Sequence, residues 1–464
     1  MSPVPIYLHG FGVRYGLPVP LSLYLYGAGA VVVFSFVLVV LFASRRRGAS
    51  ATQYPLWEAR WLWRLGTSPA VRFVMALIGV LSLLVVVVVG FLGSQTATQN
   101  PASYVVWVYF WAGSVILVGL LGNYWTYLNP FRTIYRLVAR LVPHGNRHLP
   151  DALGIWPAAA GYFLFAWVEL ASGEAAHPAV VAGLAAGYTV LTVLGMLVFS
   201  PDSWLGQCEV FTVLFGIVGR FGPLQTARDE SGALTGVWVR PWGVGLLDPV
   251  RAGWDRVVFV MLMLSSLAFD GIIGTGLWNN ELTSSDGPFG ASFGSWPDPV
   301  QHTIGLACIS LIFLLLFSAF MRAVVWLGGA RGDVVPTLTA FALTLVPIAL
   351  VYDAAHNYTY VTVTSQGVIP LLADPLQRGW HLLPVTTTFT PNLVFAQAAT
   401  VWYAQVVLIV LGHVLAVYLA HRRAEERFED VRAVLISQYP MLLLMVAYTM
   451  TSLWILAQPI TGGG

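Results

Sequence analysis

Residues 73–93 read FVMALIGVLSLLVVVVVGFLG, 21 consecutive positions without an ionisable side chain. A helix rises about 1.5 Å per residue, so a run of about 20 apolar residues crosses the hydrocarbon of a bilayer. No water is present there to bond a free N–H or C=O, which leaves the helix as the solution for an isolated segment. Nine further stretches read the same way, at 21–43, 103–122, 153–172, 178–199, 256–278, 302–323, 335–355, 399–420 and 440–458. The fold class that follows is all-α: a polytopic transmembrane helical bundle of about ten spans, one integral-membrane domain over 1–464.

Composition agrees with this reading and excludes others. Of 464 residues, 57% are hydrophobic and 9% charged, where a soluble domain carries roughly a quarter charged residues. A formal net charge of +2 and two cysteines exclude a nucleic-acid binder with a basic face and a secreted disulfide scaffold. The partners expected are the lipid bilayer and a lipophilic small molecule or ion, with no nucleic acid.

All 23 basic residues are arginine, and their placement orients the bundle. The first span is too long for a signal-peptide core and is followed directly by Arg45, Arg46 and Arg47, so it reads as an uncleaved anchor with its N-terminus outside. Ten spans then put both termini outside and 21 of the 23 arginines on the cytoplasmic side, leaving Arg14 and Arg378 outside. Residues 205–223 (LGQCEVFTVLFGIVGRFGP) are apolar, but an eleventh span there would throw Arg228, Arg240, Arg251 and Arg256 outside. They are expected to form an interfacial or re-entrant helix on the cytoplasmic face. Two outer loops are long, at 279–301 and 357–397, and the alternating run YTYVTVT (358–364) suggests a short hairpin.

Ionisable groups inside spans cost roughly 2.5–3.5 kcal/mol each on insertion scales, so each needs a partner or a role. Glu169, Asp270 and Asp353 all lie toward the outer ends of their spans, whereas Glu209 belongs to the cytoplasmic helix. His356 follows Asp353 by three residues on the same helical face, with Tyr352 one turn before it. His302 opens the seventh span and His9 precedes the first. If the spans bundle, these groups converge in one outer layer without an arginine. Three states satisfy them: a hydrated vestibule with hydrogen bonds to groups such as Ser265, Ser266 and Gln405, a metal held by His and carboxylate ligands, or a relay for protons or cations. His413 reads as a hydrogen-bond partner between helices, and Cys208 and Cys308 lie toward opposite faces and are not expected to pair. No phosphate-binding glycine loop, HExxH, CxxC or dinucleotide fingerprint occurs.

Several stretches together resemble a family of bacterial polytopic membrane proteins known as fenitrothion hydrolases. They are His9-Gly10-Phe11-Gly12 with LPVPLSLYLYGAGA (17–30), Asn129-Pro130-Phe131-Arg132, WPAAAGYFLFAWVEL (156–170) and the helix from Glu209 to Gly216. Phe269-Asp270-Gly271, Ala355-His356, VWYAQVVLIVLGHV (401–414) and SQYPMLLLMVAYTMTSLW (437–454) continue the likeness to the last span. The resemblance implies a multi-pass protein of the bacterial cytoplasmic (inner) membrane that hydrolyses organophosphorus triesters and releases a nitrophenol. Such chemistry needs hydroxide at neutral pH, which a divalent transition metal (zinc, iron, manganese or copper) supplies. The expected ligands are Asp270, His302 and His356, with Glu169 and Asp353 as catalytic base or supporting groups. The alternative is an ion or metal transporter, or a non-catalytic membrane subunit of a metal-handling or respiratory complex.

The topology makes a direct prediction. In a background lacking Cys208 and Cys308, a cysteine at Ser285 should react with an impermeant maleimide from outside and one at Ser231 only from inside. Outside labelling at Ser231 would contradict ten spans.

Overall fold

The computed structural model describes residues 21–43, 54–228, 234–284, 293–329, 333–384, 389–428 and 430–458. His9, Ser231 and Ser285 lie outside them. Prolines start many of the helices, because the first turn has no intrahelical partner for their missing N–H. In chain order, the helices that matter here are α1 (Leu21–Ala43), α2 (Pro69–Leu92), α3 (Pro101–Leu121), α4 (Asp151–Leu170) and α5 (Pro178–Val198). Two short ones follow, α6 (Pro201–Gln207) and α7 (Val210–Val218), then α8 (Trp254–Ile273), α9 (Asp298–Leu327), α10 (Val335–His356), α11 (Tyr358–Thr362), α12 (Ala398–Arg427) and α13 (Val431–Ala457).

Nine of these, all but α1, α6, α7 and α11, are long and apolar enough to cross a membrane among the described residues. They match nine of the ten predicted spans. The tenth, α1, is a helix of 23 residues at the position of the first predicted span. The helices bury small and aromatic side chains against each other and turn Leu, Val, Ile and Phe outward, as on Phe73, Leu77 and Leu84 of α2 and Leu311, Ile312 and Leu315 of α9. Such an apolar exterior belongs in lipid. α8 and α10 are the most enclosed, α2 and α9 the least.

Three features depart from the sequence reading. Residues 205–223, expected as an interfacial or re-entrant helix, are not one continuous helix: the chain breaks at Cys208 and Glu209 into α6 and α7. Val210, Phe211, Val213, Leu214, Phe215 and Val218 of α7 are buried in the main core rather than lying on a surface. The expected hairpin at 358–364 is instead helical, α11 running into a 3-10 turn over Thr364–Gly367. Among the described residues, the Tyr/Val alternation has no second strand to pair with. Asn357 carries the helical path onward by accepting from Val361 N–H at 2.8 Å, and Tyr360 packs with Tyr104, Val108 and Val368. Finally, a three-stranded antiparallel sheet, β1 (Trp57–Glu58), β2 (Leu224–Arg228) and β3 (Leu234–Val239) in the order β1-β3-β2, was not expected from the sequence.

The sheet sits at the arginine-rich end. Arg240, 4% exposed, follows β3; its Nη1 pairs with Asp248 Oδ2 at 2.9 Å and its Nη2 donates to the Arg220 carbonyl at 3.0 Å. Arg423 at the end of α12 donates to the Leu246 carbonyl at 3.1 Å, and Tyr54 O–H donates to Asp248 Oδ1 at 2.6 Å. These arginines close off polar backbone at one end of the bundle. Glu169, Asp270 and Asp353 all come from the other ends of their helices.

Close backbone packing depends on glycines. A Cβ on Gly79 of α2 would fall 1.8 Å from the Leu128 carbonyl oxygen, and one on Gly412 of α12 would fall 2.2 Å from Val351 of α10. The first contact is with main chain and cannot rotate away. Gly79→Ala is expected to lower stability by about 1–3 kcal/mol or more, read as thermal unfolding in detergent. Gly187→Ala, with nothing within 4 Å, should be neutral or gain up to about 1 kcal/mol from helix propensity. Equal unfolding temperatures for the two variants would contradict the packing.

Candidate functional site

Asp270 stands one turn before the end of α8 and His356 closes α10. His356 Nε2 donates to Asp270 Oδ2 at 3.0 Å, with 16% and 7% of the two side chains exposed. The helices approach this closely because residue 271 is glycine: a Cβ there would lie 2.5 Å from the Tyr352 hydroxyl and 2.4 Å from Ile455. One turn before His356, Tyr352 stacks on the imidazole, with ring centres 5.9 Å apart and planes 13° apart. The imidazole is therefore held by Asp270 from α8 and by Tyr352 from its own helix.

Asp353 shares the α10 turn with the pair and is 1% exposed. Asn357 Nδ2, one turn later, donates to Asp353 Oδ1 at 3.1 Å, and Asp353 Oδ2 has no hydrogen-bond partner among the described residues. From α4, Glu169 accepts from the Trp111 side chain and lies within electrostatic reach of both Asp270 and Asp353. Two hydroxyls complete the surroundings. Tyr162 bonds Ser266 Oγ at 3.1 Å in the field of Glu169 and Asp353, and Tyr360 of α11 feels Glu169 and Asp270.

Two carboxylates, Asp270 and Asp353, thus act on one imidazole, and the third, Glu169, acts on both of them. Each additional buried charge costs several kcal/mol unless paired, so the cluster is stable when protons are distributed among its members rather than absent from all of them. The convergence of Glu169, Asp270, Asp353 and His356 expected from the sequence is present. The arginines that pair with acids do so elsewhere, as in Arg240 with Asp248, Arg132 with Asp202 and Arg256 with Asp255.

His302 has different surroundings. It opens the α9 core contact with rings at 5.7 Å (Trp278) and 6.3 Å (Phe269), hydrogen-bonds the Leu170 backbone, and has Asp298 as its acting carboxylate. Phe269 and Asp270 are successive residues about 100° apart around α8, so a ring against Phe269 belongs to another face. Asp270 and His356 engage each other and His302 engages Leu170, so the donor set Asp270, His302 and His356 does not fit a common coordination point. Among the described residues, no three His, Cys, Asp or Glu side chains are grouped to hold a metal ion.

The expected helpers also bond elsewhere: Ser265 to Ser310 at 3.0 Å, Ser266 to Tyr162, and Gln405 Nε2 to the Ala355 carbonyl at 3.0 Å. Glu209 caps α7, accepting from the N–H groups of Phe211 (3.0 Å) and Thr212 (2.8 Å) and from Tyr188 O–H (2.8 Å). That accounts for its burial structurally. Burial pushes the neighbouring Cys208 thiol up to about 11, and both cysteines are free. His413 is not a bridge between helices. Its Nδ1 lies 2.8 Å from the Ile409 carbonyl of its own helix.

Trp111, Asn357, Tyr162 and Tyr360 are the members that sequence reasoning missed. Asn357 and Tyr360 had a signal, standing four residues after Asp353 and His356; Trp111 and Tyr162 had none.

No protein-family model, curated protein or solved structure matches this chain. Function is accordingly argued from the cluster itself. Asp270→Ala leaves a buried imidazole without its acceptor and is expected to cost about 3–5 kcal/mol, whereas Asp270→Asn keeps an acceptor oxygen and should cost clearly less. Thermal unfolding of both in detergent checks this, and equal losses would contradict a specific Asp270–His356 contact.

Proposed function

We propose that this chain is an ion-handling membrane protein in which the Asp270–His356 pair, with Glu169 and Asp353, takes up and passes protons. The observation that carries the reading is the gathering of three mutually interacting carboxylates from three helices, two of them acting on one imidazole, at one end of the bundle. Ionisable groups at membrane depth are kept where they carry an ion path, and a cluster able to hold varying numbers of protons is suited to that task. Asp353 Oδ2, buried and without a partner among the described residues, is the acceptor best placed to change its protonation as the pair changes its own. The pair resembles an Asp-oriented histidine base, which is the one feature that also serves the hydrolytic reading, there activating water toward a lipophilic triester.

The reading takes the acid-bearing end as the outer one, with both termini there, in a bacterial cytoplasmic membrane. The arginine bias supports this, with 21 of 23 on the opposite side in the ten-span reading.

Reconstitution in vesicles tests the proposal. An imposed pH gradient should drive proton flux that Asp270→Asn and His356→Ala each reduce at least tenfold. Flux unchanged in both variants, together with nitrophenol release from an aryl phosphorothioate triester that both variants lose, would overturn ion handling in favour of hydrolysis.

A further inference from the structure

Between α8, α9, α10 and α13 lies a cavity of about 30 Å³ lined in part by Phe313, Tyr352, Tyr448, Thr451 and Ser452. Two of these are buried tyrosines, 4% and 8% exposed, whose hydroxyls have no hydrogen-bond partner among the described residues. A buried hydroxyl without a partner destabilises the fold, and two of them on one cavity wall point to a shared ligand. The cavity is lined mainly by apolar groups, from Leu264, Leu267, Ile348 and Ile455 among others, with four hydroxyl-bearing side chains set among them. Its volume exceeds the roughly 10–15 Å³ that one water requires, and four hydroxyls meet the two to four partners that a buried water needs.

The position of the cavity gives such a water a task. Its inner wall includes Tyr352, the residue that stacks on His356 and whose hydroxyl touches Gly271 beside Asp270. Asp270 acts electrostatically on that hydroxyl. Its outer member, Thr451, is exposed and stands six residues from the end of α13, about 9 Å along the helix axis. Ala268 and Tyr352, the cavity residues nearest the pair on α8 and α10, come before Asp270 and His356, so the cavity lies deeper in the bundle than the pair. Phe313 stacks on Tyr448 with ring centres at 5.2 Å and planes 9° apart, which fixes the second hydroxyl.

We infer that this cavity is a water-binding site and the proton inlet to the Asp270–His356 pair from the interior of the bundle. The inlet role rests on the proton-handling reading above; the water site does not. In the step itself, a proton arrives on the bound water and an O–H of that water passes a proton to the Asp270 carboxylate. The water is unchanged and the carboxylate is neutralised. The tyrosine hydroxyls hold the water and exchange no net proton.

X-ray radiolytic footprinting of the full chain reads the water directly, because radicals formed on a bound water oxidise the side chains beside it. Tyr352 and Tyr448 should be oxidised at least tenfold faster than Tyr162, which is equally buried but bonded to Ser266. Ser452→Leu, which fills the cavity, and Tyr448→Phe, which removes one hydroxyl, should each slow proton flux at least fivefold, and Ser452→Leu should also lower Tyr352 oxidation at least fivefold. Tyr352 and Tyr448 as inert as Tyr162 would overturn the water site. Normal flux in both cavity variants, with flux lost in Asp270→Asn, would overturn the inlet while leaving the proton reading intact. Flux unaffected by Asp270→Asn would instead overturn the proton reading, with the footprinting result still deciding the water site.

Discussion

A charge in hydrocarbon must find a partner, and the 3.0 Å contact between His356 and Asp270 is where this chain meets that demand. The rest of the interior is arranged around it. Gly271 gives up its side chain so that Tyr352 can stand beside Asp270, and Gly412 lets α12 close on Val351 of the same α10. α10, which carries Tyr352, Asp353 and His356 on its last turn, is the most enclosed helix of the nine. A polar cluster on the least exposed helix is costly to keep unless it is used.

The two ends of the bundle solve opposite problems. At the arginine end, guanidinium groups satisfy carbonyls and acids that the helix termini and the small sheet leave open, as Arg220 does for Gly245, Asp248 and Pro249. These contacts are many, geometrically specific and fully explained by structure. At the acid end the balance is reversed: carboxylates outnumber the cation among them, and Asp353 retains an oxygen that no described neighbour satisfies. Excess acceptors with one imidazole are what the proposed proton handling requires, whereas guanidinium groups bonded to carbonyls serve as scaffold.

Much of this was legible in the sequence, for identifiable reasons. Span positions came from run length, which lipid enforces strictly, and the meeting of Glu169, Asp270, Asp353 and His356 came from their shared depth near one set of helix ends. Depth does not fix azimuth. His302 lies at a fitting depth yet on the face of α8 marked by Phe269, and nothing in a single sequence reports how α9 is rotated against α8. The same limit hid Trp111 and Tyr162, which reach the cluster from α3 and α4 with no local motif. The YTYVTVT run misled because alternation is a signal for a strand that has a partner, and here the segment packs on Tyr104 and Val108 as a continuation of the helix. Residues 205–223 were legible only in part, because apolarity marks the stretch as membrane-associated without showing the break at Cys208 and Glu209.

The central claim is that protons are distributed over the cluster at neutral pH. Infrared spectra of the reconstituted chain in H₂O and D₂O test it most directly through the carbonyl stretch of protonated carboxyl groups. The account predicts at least one such band at neutral pH, shifted in D₂O and altered when Asp353→Asn or Glu169→Gln is introduced. A spectrum with every carboxyl ionised, or one that neither substitution changes, would contradict it.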